Sequence, residues 1–467
     1  MKRFSIWFLP LIIFSLFYSV FFLFQSGSVY DATLGKVTHT YQNIHGDIQM
    51  VNKPFTELTE NSLNTWDASY YDYIRQNGYR ITEERARAES HAYAFFPLFP
   101  LIWKFSGFNF RMISILNFVF FSIGLLILYR LFLRENSSNN KILLLIAFLF
   151  PSTVVFHIPY SEATMFICMS LAIAGIMRSN YRLYFIGAFL AANARSAVLI
   201  PIMSFLVLEF FLFLLRRTTL RIFIIDMFKC ILPLFLGIIS TALYQFYFTG
   251  SFTSFLSAQQ KWGRHFSLPA GISDWSMEGF AISAGAVFFV LLPAILFCWR
   301  RFVSIRAQEK SSGVFHFDTA AKHDYLFCLS AIYLTACFLF ALFFQDGSIN
   351  SLQRYMLATP FFYIFFFLLP GYAQTIRNKV IIIAGLIILI TGYVITTWAM
   401  NSHDWKWNFS MSGFAIMFLL MAASLFFSRR RFHQITGITV ISILVLISLT
   451  FQAYLFNQFL CEGWMFV

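Results

Sequence analysis

An all-α protein threaded many times through a membrane is the fold class this sequence predicts, on three observations. Only 12% of its 467 residues are charged and 59% are hydrophobic, whereas a water-exposed domain carries about 25% charged residues. Apolar runs of roughly 18 residues or more, the length that crosses a bilayer, recur along the whole chain, and the mean hydropathy is +0.69. The basic residues are bunched between those runs: Lys2-Arg3, Arg130 to Lys141, Arg178 and Arg182, Arg216-Arg217-Arg221, Arg300-Arg301 to Lys322, Arg377-Lys379, and Arg429-Arg430-Arg431. Lys and Arg mark the cytoplasmic ends of spans because they resist translocation. The net charge of +13 therefore reads as orientation in the bilayer, and nucleic acid is not an expected partner.

Taken in order, the first element is Phe4 to Phe24 behind Lys2-Arg3. It is longer than a signal-peptide core and no small-residue cleavage site follows cleanly, so an uncleaved helix running from inside to outside is expected. Residues from about Gln25 to Tyr93 form the one long hydrophilic stretch, with nine of the chain's 21 acids: Asp31, Asp47, Glu57, Glu60, Asp67, Asp72, Glu83, Glu84 and Glu89. A loop of this length is either functional or disordered, and Trp66, Tyr70, Tyr71, Tyr73 and Tyr79 argue against disorder. Ala94 to Lys104 is apolar but too short to span, and Pro97 and Pro100 interrupt it, which suits a re-entrant or interfacial piece.

Further spans are read near 112–133, 142–160, 163–178, 183–196, 197–215, 222–248, 279–299, 324–344, 353–370, 380–398, 411–428 and 433–456, about thirteen with the first helix. Alternation from a cytoplasmic N-terminus puts every basic cluster inside. It puts Gln25–Tyr93, Pro159–Glu162, Thr249–Glu278, Gln345–Gln353 and Asn401–Ser410 outside. With no Gly/Ser linker, low-complexity tract or repeat, residues 1–467 form one expected domain. The six cysteines mostly lie inside apolar runs with no CxxC or metal spacing, so packing is their expected role.

The sharpest motif is WDASYYDYIRQNGY, Trp66 to Tyr79. A helix starting at Asp67 puts Tyr70, Tyr71 and Ile74 on the Asp67 face and Asp72 off it. Asp67 can serve as a helix cap. In an aromatic outer loop it can instead take a hydroxyl proton as general base, beside rings that stack on sugars. Glu162, in Pro159-Tyr160-Ser161-Glu162, divides in the same way between helix start and site. Arg195 sits where the run Leu183–Leu215 must turn, and an arginine at membrane depth faces a partner or a cavity. Arg354, in Gln353-Arg354-Tyr355, fits that reading or a snorkelling one. Arg264 lies in the polar outer loop Gln259 to His265. Guanidiniums suit phosphate because their donors form a planar fork. One carboxylate with several arginines matches a lipid-linked sugar phosphate. No GxSxG, HExxH, Walker loop or DxD occurs, and the scattered histidines give no expected metal site.

The Trp66–Tyr79 segment resembles the WDxxHYxxIxxxGY signature of the GPI mannosyltransferase 2-like family, which includes bacterial relatives. The resemblance continues in order along nearly the whole chain. Phe95 to Pro100 is similar to its FFPLYP, Phe150-Pro151 with Pro159 to Glu162 to its FP…PYSE, Ala194-Arg195 to its TR, and Gln353-Arg354-Tyr355 to its late RY. It implies the GT-C glycosyltransferase fold, with a large first extracytoplasmic loop. It also implies inverting transfer of a sugar, mannose, from a polyprenyl-phosphate donor to a glycan or glycolipid acceptor, with no cofactor demanded.

By the same resemblance Asp67 is the catalytic base. The resemblance also makes Glu162, Arg195 and Arg354 candidate cavity residues, and the residues' own chemistry adds Trp66, Tyr70, Tyr71, Asp72 and Arg264 as candidate substrate residues. Two departures stand out: Tyr70 replaces the family's His, which bears on acceptor and sugar identity, and Ser196-Ala197-Val198 replaces its Pro-Thr-Gly. The competing expectations are a GT-C transferase for another sugar and a transporter or flippase of a lipid-linked sugar. Transport predicts paired broken helices in related halves, and the sequence has no such symmetry. A bacterial plasma membrane is the expected location, with the endoplasmic reticulum as the alternative, since no retention signal precedes Val467.

Overall fold

The computed structural model describes residues 6–25, 27–32, 39–42, 48–51, 55–80, 90–133, 138–215, 219–269, 271–274, 276–305, 313–400, 411–429 and 434–461. Eight helices among the described residues are long and apolar enough to cross a membrane, or nine if one bent pair counts as a single span. The chain is a multi-pass membrane protein, as its composition predicts. Lys2, Arg3, Asp47, Glu83, Glu84, Glu89, Arg216, Arg217, Arg430, Arg431 and the outer loop 401–410 lie outside the described residues.

Helix α1 (Leu9–Gln25) leads into the hydrophilic segment, whose described residues carry regular structure. It forms α2 (Gly27–Ala32) and an antiparallel hairpin of β1 (His39–Gln42) and β2 (Ile48–Val51), with His39 opposite Val51. The short helices α3 (Glu60–Leu63) and α4 (Asp67–Asn77) follow. The alternation that would have announced the hairpin is too brief to stand out in the sequence. A 3-10 turn, Ser90–Ala94, precedes α5 (Leu98–Ser106). At nine residues α5 is too short to span, with Trp103 buried and Phe105 83% exposed.

The remaining helices are α6 (Phe110–Phe132), α7 (Ser138–Ala147), α8 (Glu162–Met177), α9 (Tyr181–Ala194), α10 (Leu199–Leu214), α11 (Leu220–Thr249) and α12 (Ser254–Lys261). Then come α13 (Met277–Ala286), α14 (Leu292–Ile305), α15 (Thr319–Phe344), α16 (Leu352–Leu357), α17 (Pro360–Ala373), α18 (Asn378–Ala399), α19 (Ser412–Arg429) and α20 (Gln434–Leu460). Local signals start several of them: Asn109 accepts from the Met112 amide at 2.9 Å, and Asp318 from that of Ala321 at 2.6 Å. A π-helical stretch, Val287–Leu291, joins α13 to α14.

Two of the expected spans are broken, and both breaks matter. Residues 142–160 do not form one helix: α7 stops at Ala147, and a 3-10 turn, Pro151–His157, departs at 65°. Pro151 supplies no amide to a continuing helix, and carbonyls freed in an apolar interior need donors. Thr153 Oγ1 donates to Phe148 O and Phe150 O at 3.2 and 2.8 Å, and Gln452 Nε2 reaches the same two at 3.1 Å each. Residues 353–370 are likewise divided, with α16 separate from α17. Thr359, before Pro360, is extended at φ −134 and ψ 151, because the residue ahead of a proline is driven out of the helical region.

Small residues let α8, α9 and α11 approach closely. A Cβ on Gly175 or Gly187 would press into the backbone of Tyr184 or Ala172, and one on Gly237 into Ala192. Such contacts are how helices associate where lipid offers no hydrophobic drive.

Candidate functional site

Four charged side chains from four distant segments meet beside those breaks. Asp67 is the first residue of α4, and Trp66 before it holds the cap position at φ 52 without a side-chain cap bond. The Asp67 carboxylate does not cap; its Oδ2 accepts from Arg354 Nη2 at 2.8 Å, and the Asp67 amide donates to Tyr160 Oη at 3.3 Å. Glu162 opens α8 and is buried. Its Oε1 accepts from Arg354 Nε at 2.6 Å and Nη2 at 2.5 Å, and Arg195 Nη1 closes on the same oxygen. Glu162 Oε2 is buried with no hydrogen-bond partner among the described residues. Both acids sit in the first turn of a helix, where the backbone dipole favours negative charge.

Each arginine is placed by a break. Arg195 occupies the extended link between α9 and the 3-10 turn Ser196–Val198, at φ −152 and ψ 146, so its turn position agrees with the sequence. Arg354 lies in the six-residue α16 with 4% of its side chain exposed, which is a buried geometry and not a snorkelling one. Rings support both: Arg354 Cζ lies 4.7 Å from the Tyr160 centroid and Arg195 Cζ 5.4 Å from that of Tyr355. Two carboxylates and two guanidiniums cancel in charge, and only such pairing makes buried ions tolerable.

The other sequence-predicted residues surround this group unevenly. Arg264 touches neither acid; it donates to Gln259 Oε1 at 2.5 Å and to Tyr355 Oη at 3.0 Å, so Tyr355 joins Arg264 to Arg195. Tyr70 stacks on Phe95 at 5.0 Å with Trp262 edge-on at 5.8 Å. Burial first, then the Asp67 charge, raises its phenol above the usual range. Tyr71 Oη meets Ser161 Oγ at 2.5 Å, and burial keeps that phenol protonated. Trp66 packs, half-buried, against the core. Asp72 is engaged within its own helix, by Arg75 at 2.5 Å and Gln76 at 2.7 Å, and is not brought into the cluster. Beyond Tyr70, His91 lies 5.0 Å from Trp262. Burial and then Lys261 hold this imidazole below its ordinary range, so it is neutral at pH 7.

Sequence reasoning missed Asn117. It is fully buried in α6, and its Nδ2 donates to Ile158 O at 2.7 Å and Tyr160 O at 2.8 Å. These carbonyls flank Pro159, so Asn117 fixes the turn that presents Tyr160 and Glu162. A lone amide inside an apolar run was the available signal, since such residues in spans are costly and retained for a reason.

Among the described residues, no group of three or more His, Cys, Asp or Glu side chains could hold a metal ion. The fold and the cluster define a multi-pass membrane protein with an occluded acid–arginine centre. No protein-family model matches the chain, and no curated protein or solved structure matches it either.

Proposed function

We propose that this chain is an integral-membrane glycosyltransferase of the GT-C type with thirteen spans. It moves a sugar, mannose in the leading reading, from a polyprenyl-phosphate donor to a glycan or glycolipid acceptor on the extracytoplasmic face. A bacterial plasma membrane is its proposed location. One observation carries the reading: Asp67, Glu162 and Arg354 meet in one buried cluster although 287 and 192 positions separate Arg354 from the two acids. Asp67 belongs to the aromatic segment Trp66–Tyr79, Glu162 to the turn Pro159–Glu162 and Arg354 to Gln353–Tyr355, three segments far apart in the chain.

In the proposed reaction an acceptor hydroxyl approaches the anomeric carbon from the face opposite the phosphate. Asp67 takes its proton while the new carbon–oxygen bond forms. The bond from the anomeric carbon to the phosphate oxygen breaks with inversion, and its electron pair leaves on polyprenyl phosphate. Arg195 and Arg354 stabilise that departing charge; preorganised cations in a water-poor site are effective at this. The proton then passes from Asp67 to water.

Replacing the base without changing its shape tests this. Asp67→Asn is expected to leave insertion intact and to reduce transfer from radiolabelled polyprenyl-phosphate mannose in isolated membranes by roughly a hundredfold or more. Asp72→Asn, outside the cluster, is expected to be much milder. Full transfer by the Asp67 variant overturns its assignment as the base.

A further inference from the structure

The bond that singles out Asp67 also competes for it. A guanidinium on a carboxylate oxygen competes with a hydroxyl for that oxygen's lone pairs, and Asp67 Oδ2 accepts from Arg354 Nη2 at 2.8 Å. The two acids are not equivalent partners for that arginine. Glu162 Oε1 takes both Nε, at 2.6 Å, and Nη2, at 2.5 Å, and also receives Arg195. Asp67 shares only Nη2. Its side chain is 13% exposed against 1% for Glu162, so an incoming anion reaches the Asp67 side first. Glu162 Oε2, buried and without a partner among the described residues, is a second acceptor that can keep a guanidinium on Glu162 if it turns away from Oε1.

We infer that Asp67 is the resting occupant of an anion site, and that the donor's phosphate displaces it from Arg354. This rests on the transferase reading. Glu162 is the permanent counter-charge of both arginines, and Asp67 is the exchangeable one. The exchange couples two events: the phosphate gains Arg354 in the same step that frees the Asp67 carboxylate to act as base. Without donor the Asp67 carboxylate stays held by Arg354, so an acceptor hydroxyl or water at an empty site must compete with the guanidinium for it. Donor therefore binds before the acceptor is activated.

The exchange makes a prediction opposite in sign to that for an ordinary binding residue. Undecaprenyl monophosphate is titrated against the full-length protein in nanodiscs. Asp67→Asn removes the competitor and is expected to bind this lipid about tenfold or more tightly than the wild type, the scale of one charge-assisted hydrogen bond. Asp67→Ala is expected to do the same without a side-chain amide. In an Arg354→Lys background the gain from Asp67→Asn is expected to shrink, since the shared fork is gone. Equal or weaker binding by both Asp67 variants, with unchanged thermal midpoints, overturns the exchange and leaves the transferase reading standing. No binding by wild type or variants overturns the polyprenyl-phosphate donor, and the exchange with it.

Discussion

Glu162 carries more of the site than Asp67 does, because its one carboxylate pairs with both buried guanidiniums. Removing one member of a buried ion pair costs about 3–5 kcal/mol, mostly from the charge left behind. Glu162→Gln is therefore expected to lower the thermal unfolding midpoint in detergent clearly, with transfer lost. Arg195→Lys keeps the charge but not the planar fork, so the protein is expected to remain folded while its KM for donor rises about tenfold. An unchanged donor KM would make Arg195 structural. At this scale the sequence pointed to residues that the structure brings together and was silent about their partners. Arg195 and Arg354 stood out because a charge at membrane depth needs a partner. Nothing local to either pointed to Glu162, since a pairing across 192 positions leaves no trace in spacing. Asp72 shows the converse: its motif position drew notice, and its bonds to Arg75 and Gln76 stay within one helix.

Interrupted helices, more than whole ones, build the centre. Glu162 follows the turn at Pro159, Arg195 fills the link between two helices, and Arg354 rides a short helix that Pro360 separates from α17. Hydropathy reads a span as a length of apolar residues, so it found these segments and ran through two of the breaks. The break after Ala147 depends on Gln452, from the far end of the chain, and local pattern holds no record of that. Asn117 gives the element-scale prediction. Asn117→Leu keeps the size but removes the side-chain donor to both carbonyls; Ile158 O keeps the Tyr160 amide at 2.8 Å, and Tyr160 O loses its Asn117 partner, at about 1–3 kcal/mol. The thermal midpoint is expected to fall. Transfer is expected to drop by a larger factor than in Ser122→Ala, a change on the same helix away from the turn, because Tyr160 and Glu162 lose their register. Normal transfer by Asn117→Leu at a temperature where it is fully folded would make the amide a packing residue only.

Which helix ends share a face of the molecule follows from which ends meet. The alternation read from the basic clusters assigns the loop holding Asp67, the turn at Glu162, the Arg195 link, the Arg264 loop and the segment before Arg354 to one face. These same five pieces converge through the Glu162 pairs and through Tyr355. Opposite ends show matching contacts: Lys322 donates to Ser179 Oγ at 2.6 Å, and the Val314 amide to Asp226 at 2.9 Å. One added or omitted crossing between Asp67 and Arg354 would separate members of the cluster by the thickness of a membrane, which bonds of 2.8 Å forbid. The ion pairs require only that the ends carrying Asp67, Glu162, Arg195 and Arg354 share a face, a condition the proposed thirteen-span alternation meets. Single cysteines introduced into a background lacking the native six test it directly. Membrane-impermeant maleimide is expected to label Asn64→Cys and Ser402→Cys in intact cells, and Ser312→Cys only after permeabilisation; the last two positions lie outside the described residues. Labelling of Ser312→Cys from outside would break the thirteen-span alternation, and it would place the ends carrying Lys322 and Asp226 on the face now assigned to Asp67.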